Sequence, residues 1–190
     1  MITDREEGTS LPRASFKVLA KRLIGTFHRA PLEAAELEWV QSLLTQEEFD
    51  LWLKLSPHDQ SHSVWVARGV RRRLAATQYA GDSLWLSVAI MHDIGKLDSN
   101  LAMHERMLAA VAGRAVKLSI ATRWASSARG LTRRVGRFLI HGALGSEMIL
   151  SVGGREEIAL WSSVHQGDGL AAEPMIPLPV IKALVDADSY

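Results

Sequence analysis

The stretch Leu84-Trp85-Leu86-Ser87-Val88-Ala89-Ile90-Met91-His92-Asp93-Ile94-Gly95-Lys96 decides how this chain is read. Only Ser87 interrupts the apolar run from Leu84 to Met91. A helix that is apolar on every side must be buried, and this one is far too short to cross a bilayer. Asp82 or Ser83 supplies its N-cap. A histidine and an aspartate then stand side by side where that helix ends. A buried carboxylate needs a cation or several donors beside it, and a metal ion supplies that charge. Adjacent helical residues project about 100° apart, so the pair can grip one metal from two directions, or the aspartate can reach a second. Gly95 is expected to allow a tight exit from the helix, and Lys96 adds a positive charge.

Helix signals continue on both sides. Residues 1–10 are polar, and 11–29 form a basic amphipathic pattern with Phe16, Leu19, Ala20, Leu23, Ile24 and Phe27 at helical spacing. That pattern predicts a helix packed on the core with a solvated basic face, a membrane-surface helix being the alternative. Glu33, Glu36 and Glu38 sit early in a helix over 32–44, where carboxylates suit the dipole. Thr45 and Glu48 form a capping box for a short helix through Lys54. Ser56-Pro57 is an N-cap followed by proline at the first helical position, for a helix to about Ala76. Asp98 or Ser99 is expected to start the helix after the His-Asp pair, running through Ala112. Further helices are predicted over 114–128, 132–140, 146–152, 155–165 and 178–189, with glycines between them. No alternating strand pattern appears, so the expected class is all-α with nine or ten helices.

Composition removes several function classes. The chain has 190 residues and no cysteine, which excludes disulfides, thiolate metal sites and cysteine nucleophiles. Any metal must rest on His, Asp and Glu. The 22 Lys+Arg nearly balance the 21 Asp+Glu, so net charge predicts no polyanion partner, and nucleic acid is not expected. The charged first residues do not read as a signal peptide and no segment is long enough to span a membrane, so a cytoplasmic protein without a membrane partner is expected. Charge is uneven, however. Between Glu105 and Glu147 there is no acidic residue, while Arg106, Arg114, Lys117, Arg123, Arg129, Arg133, Arg134 and Arg137 fall there. This is either a solvated face or a positive rim that draws an anionic substrate.

Four further segments set the His-Asp pair in context. They are Ser56–Arg68 with His62, Arg137–Gly145 with His141, Trp161–Gln166 with His165, and Ile181–Asp188. With His92-Asp93-Ile94-Gly95-Lys96, they resemble the HD-domain superfamily of metal-dependent phosphohydrolases over roughly residues 56–190. The resemblance implies an HD-domain helical bundle over 56–190. The helical extension before it, 1–55, could serve dimerisation or cover the pocket, and is expected to pack on the core because exposed apolar faces are costly. The resemblance implies metal ligands at His62, His92, Asp93, His141, His165 and Asp188, with Asp93 bridging two divalent ions. Asp188 is aligned in preference to Asp186, two residues away on another helical face. Iron, manganese, zinc, nickel and magnesium all remain open.

The activity implied is hydrolysis of a small phosphoester or nucleotide by a metal-bound hydroxide. Asp93 would orient the hydroxide, and Lys96 would contact a phosphate oxygen. His165-Gln166-Gly167 replaces the His-His-Glu of Gly-Tyr-Pro cyclic-dinucleotide phosphodiesterases, so a third metal is not expected. Two other readings stay open: a mixed-valent di-iron oxygenase of the same superfamily, and a non-catalytic ligand-binding module. Asp59, three residues before His62, is read either as an acceptor orienting that imidazole or as an exposed first-turn residue. His58, one turn before His62, is a weaker ligand candidate, and Trp65 or Trp161 could line a pocket.

Overall fold

Three helices start where an N-cap side chain captures an orphan amide. Thr45 accepts from the Glu48 amide while the Glu48 carboxylate accepts from the Thr45 amide. Ser56 accepts from the Asp59 amide, with Pro57 at the first helical position, and Asp82 accepts from the Leu84 amide. In the computed structural model, which describes residues 31–189 except the Met103 side chain, ten α-helices and two 3-10 turns result. The helices are α1 (Ala34–Leu43), α2 (Gln46–Trp52), α3 (Pro57–Leu74), α4 (Ser83–Met91), α5 (Met103–Gly113), α6 (Leu118–Ser127), α7 (Gly130–Leu139), α8 (His141–Ser151), α9 (Glu156–Val164) and α10 (Leu178–Asp188). The 3-10 turns are Ile94–Asp98 and Leu170–Ala172. The protein is all-α, with no strand among the described residues. No helix there is long and apolar enough to cross a membrane. The basic helix expected over 11–29 lies outside the described residues.

The core is built around α4. Trp85 through Met91 are all buried, and Ile90, Met91 and Ile94 are completely enclosed. Each such side chain contributes about 1.5–3 kcal/mol through the area it removes from water. Around α4 pack α1, α3 and α9, and α10 closes against α3. The α3–α10 contact is close because Gly69 faces Ala187, whose Cβ a new Cβ at Gly69 would meet at 3.0 Å. Residues before 56 belong to the same cluster: Val40, Phe49, Leu51, Trp52 and Leu55 are buried in it. The Trp52 indole donates to the Ser63 hydroxyl at 3.0 Å, and buried Glu48 receives Arg155 from the loop before α9. A second, smaller cluster of Leu101, Ala109, Ala121, Phe138 and Leu139 holds α5, α6 and α7 together as a lobe.

Two expected boundaries are corrected. Neither Asp98 nor Ser99 starts the next helix. The Asp98 carboxylate pairs with Arg137 of α7, and the Ser99 hydroxyl donates to the Lys96 carbonyl. The helix starts instead after Ala102, whose amide donates to the Glu105 carboxylate at 2.7 Å. Helix α8 starts at His141 rather than at 146. Its first turn runs against the 3-10 turn, and Gly95 is what lets it. A Cβ at Gly95 would overlap the His141 carbonyl oxygen and sit 2.7 Å from the Gly145 nitrogen. Gly95 therefore serves the close approach of two backbones.

Candidate metal centre

Four helices end at one place. His92 follows the last residue of α4, His165 follows α9, His141 follows the end of α7, and Asp188 closes α10. The C-terminal end of a helix carries partial negative charge on carbonyls without intrahelical partners, so the ends of α4, α9 and α10 favour a cation, while His141 sits at the junction where α7 ends and α8 begins. Three of those carbonyls orient the histidines. His92 Nδ1 donates to Ala89 O at 2.8 Å, His141 Nδ1 to Phe138 O at 2.6 Å, and His165 Nδ1 to Ser162 O at 2.7 Å. With Nδ1 carrying the proton, the Nε2 lone pair of the neutral ring points the other way.

Those lone pairs converge on Asp93, which is 2% exposed. Its two oxygens serve different sets. Oδ2 lies 3.2 Å from His92 Nε2 and 3.7 Å from His62 Nε2. Oδ1 lies 3.2 Å from His141 Nε2 and 3.5 Å from His165 Nε2. Asp188 Oδ1 completes the first set, 3.2 Å from His62 Nε2 and 3.8 Å from His92 Nε2. The structure thus brings together two groups that can hold a metal ion, His62–His92–Asp188 and Asp93–His141–His165. The ligand atoms of each group lie within 4.8 Å of one another.

This donor set fits cations and little else. His141 Nε2 and His165 Nε2 face each other at 3.2 Å, although each ring already places a proton on Nδ1. His92 Nε2 is buried with no hydrogen-bond partner. Lone pairs directed at lone pairs and at carboxylates repel unless a positive charge sits between them. Protonation follows the same field. Burial lowers the pKa of His62 and of His141, which keeps them neutral. Burial works against charge at His92 too, but the carboxylates of Asp93 and Asp188 outweigh it and raise it to about 9, so these carboxylates draw a positive charge to this ring, as a proton on Nε2 or as a metal ion in the proton's place. Burial tends to raise Asp93, yet the charges on His92 and Lys96 hold it well below the usual carboxylate range. Asp188, opposed by burial in the same way, is held low by its bond to His62 and the charge on His92.

Every proposed ligand therefore lies in one of the two groups, and Asp188 rather than exposed Asp186 is the one that enters. Lys96 Nζ forms an ion pair with Asp93 Oδ2. Burial disfavours its charge, but the Asp93 and Asp59 carboxylates prevail and raise its pKa. His58 and exposed His104 join neither group, and Trp161 is buried in the core. Asp59 is not an exposed residue. It is 3% exposed, and Arg106 Nη1 donates to both its oxygens at 2.9 and 2.7 Å. Arg134 pairs with Glu105, and Arg137 with Asp98. Three arginines of the acid-free segment are thus committed to carboxylates.

Two supporting residues had no sequence signal. The Gln166 side chain accepts from the Gly142 amide at 3.2 Å and donates to Leu139 O at 3.3 Å, fastening the α7–α8 junction. The buried Ser162 hydroxyl lies 3.2 Å from His92 O and 3.4 Å from Gly142 O. Comparison with known proteins gives no match to a family model, to a curated protein or to a solved structure.

Proposed function

We propose that this chain is a metal-dependent phosphohydrolase of the HD type, acting on a small phosphoester or nucleotide. The observation that supports it most is the division of Asp93, one oxygen toward His62, His92 and Asp188 and the other toward His141 and His165. That arrangement suits two cations sharing one carboxylate. Divalent ions held there would acidify a water molecule and draw charge from a phosphoryl oxygen. Four imidazoles favour iron, manganese, zinc or nickel over magnesium, which prefers oxygen ligands.

The chain's own groups supply the rest. Main-chain carbonyls fix the tautomer and aim of three imidazoles, so no reorganisation is needed when charge develops. Lys96 brings an ammonium to the edge of the centre, where it would bind a phosphoryl oxygen. That edge is the approach for substrate. The Asp188, His62 and Lys96 side chains are 27%, 20% and 19% exposed, whereas Asp93, His165 and His141 are almost fully enclosed.

The test is a hydrolysis screen of metal-loaded protein against phosphomonoesters, phosphodiesters and nucleotides, beside a His92→Ala/Asp93→Ala control, with metal content measured in parallel. Phosphate release that disappears in the control, with about two ions per chain, is expected. No hydrolysis above the control with any of the five metals overturns the reading. Bound iron with substrate-dependent oxygen uptake and no phosphate release replaces it with the oxygenase.

A further inference from the structure

Lys96 answers to two buried carboxylates. Its ammonium pairs with Asp93 Oδ2, the oxygen turned toward the His62–His92–Asp188 group. The second carboxylate is Asp59, on the same face of α3 as His62 and three residues before it. Asp59 is tightly fixed. Arg106 Nη1 donates to Oδ1 at 2.9 Å and to Oδ2 at 2.7 Å, and the Ser56 hydroxyl donates to Oδ2 at 2.7 Å. Arg106 is itself held, its Nε donating to Leu101 O at 3.0 Å. Burial works against the Asp59 charge, yet the Lys96 ammonium and the Arg106 guanidinium prevail and hold its pKa below the ordinary carboxylate value. An ion pair this enclosed adds little net stability once desolvation is counted. What Asp59 does beyond that pair concerns the other cation in its field, Lys96.

We infer that Asp59, clamped by Arg106, is a positioning residue that keeps the Lys96 ammonium at the edge of the centre to receive a phosphoryl oxygen. The inference rests on the phosphohydrolase reading above. Lys96 and a cation on Asp93 compete for Oδ2 and repel each other. Asp59 belongs to neither ligand group, so its charge stays available to the ammonium when Asp93 is engaged. Because Arg106 stands on α5, the clamp also makes anion affinity depend on the lobe.

The full-length protein loaded with manganese is titrated calorimetrically with inorganic phosphate, and manganese per chain is counted in parallel. Lys96→Met and Asp59→Asn should each weaken phosphate binding roughly tenfold, with manganese content unchanged. The sign separates positioning from a plain field effect, because removing a negative charge beside an anion site otherwise tightens binding. The double variant Asp59→Asn/Lys96→Met should be no weaker than Lys96→Met, since residues that act through one another do not add. Arg106→Gln should repeat the Asp59→Asn loss, and Arg106→Lys, which keeps the charge and a donor, should restore most of it. If Asp59→Asn lost helicity, Arg106→Gln and its double with Lys96→Met would decide. Phosphate binding by Asp59→Asn as tight as in the parent or tighter, losses that multiply in the double variant, or a fall in manganese content overturns the inference and leaves the reading of Lys96 standing. Phosphate binding that is absent from the parent, or unchanged in Lys96→Met, removes that reading and this inference with it.

Discussion

The main core and the α5–α7 lobe are held by different forces. The core encloses Trp52, Ile90, Met91, Ile94, Ile149, Ile158 and Leu184 almost completely. The lobe buries Leu101, Phe138 and Leu139, but otherwise only alanines such as Ala109 and Ala121. It is tied to the rest by charge, through Arg106 on Asp59 and Arg137 on Asp98. Apolar burial is insensitive to direction and grows with area, whereas a charge-assisted hydrogen bond from guanidinium to carboxylate is directional. The lobe is therefore located by a few directed contacts, and the core by many undirected ones. The two meet at His141, which accepts the lobe's last helix on one side and starts α8 on the other. Its ring lies 5.6 Å from that of Phe138, a member of the lobe cluster.

The sharpest way to break this picture is at the seam. Gly95→Ala should cost about 3 kcal/mol or more, because a Cβ meets main-chain atoms of α8 rather than a movable side chain. Thermal unfolding and metal content should both fall, and an unaffected variant would mean that the two backbones are not in contact. Next in size is a matched pair. Ile90→Ala in the core should cost about 4 kcal/mol and Leu139→Ala in the lobe about 2, since loosely filled surroundings collapse more easily around a cavity. Equal losses in urea unfolding would abolish the distinction.

The smallest effect concerns the polar clamp between Glu48 and Arg155. Burial acts to raise the Glu48 pKa, but the Arg155 side chain and the Thr45 and Arg155 amides hold it below its ordinary value. A depressed folded pKa gives stability that is complete above the unfolded value of 4.5 and is lost as pH falls through the folded one. Glu48→Gln should thus be less stable than the parent by about 1–3 kcal/mol at neutral pH. The gap should narrow below pH ~4. A gap that is constant with pH would show that the clamp acts through shape rather than charge.

Local signals in the sequence carried most of the fold. Thr45 with Glu48, Ser56-Pro57 and Asp82 each cap the helix they announce, because an N-cap is a contact between residues two or three apart. The apolar run before His92 marks a buried helix for the same reason: its surroundings are written into its own composition. What could not be read depends on distant partners. Asp98 resembles a cap until Arg137 takes its carboxylate, and Ala102 has no polar side chain to announce the true start of α5. Asp59 and Arg106 are 47 residues apart, and no local pattern joins them. The arginine-rich segment suggested a rim for substrate, yet Arg106, Arg134 and Arg137 act as internal fasteners. The six ligand positions came from an order of motifs rather than from spacing, and the structure gathers all of them into the two groups.

The orienting bonds of His92, His141 and His165 end on peptide oxygens. A carboxylate in that role could be deleted by a single codon change, but a carbonyl is present whatever residue bears it. The steering bonds at Ala89, Phe138 and Ser162 thus do not depend on which side chain those positions carry, although packing constrains all three. The aim of these three imidazoles is inherited from where the helices stop, and only a shift in those endpoints would disturb it.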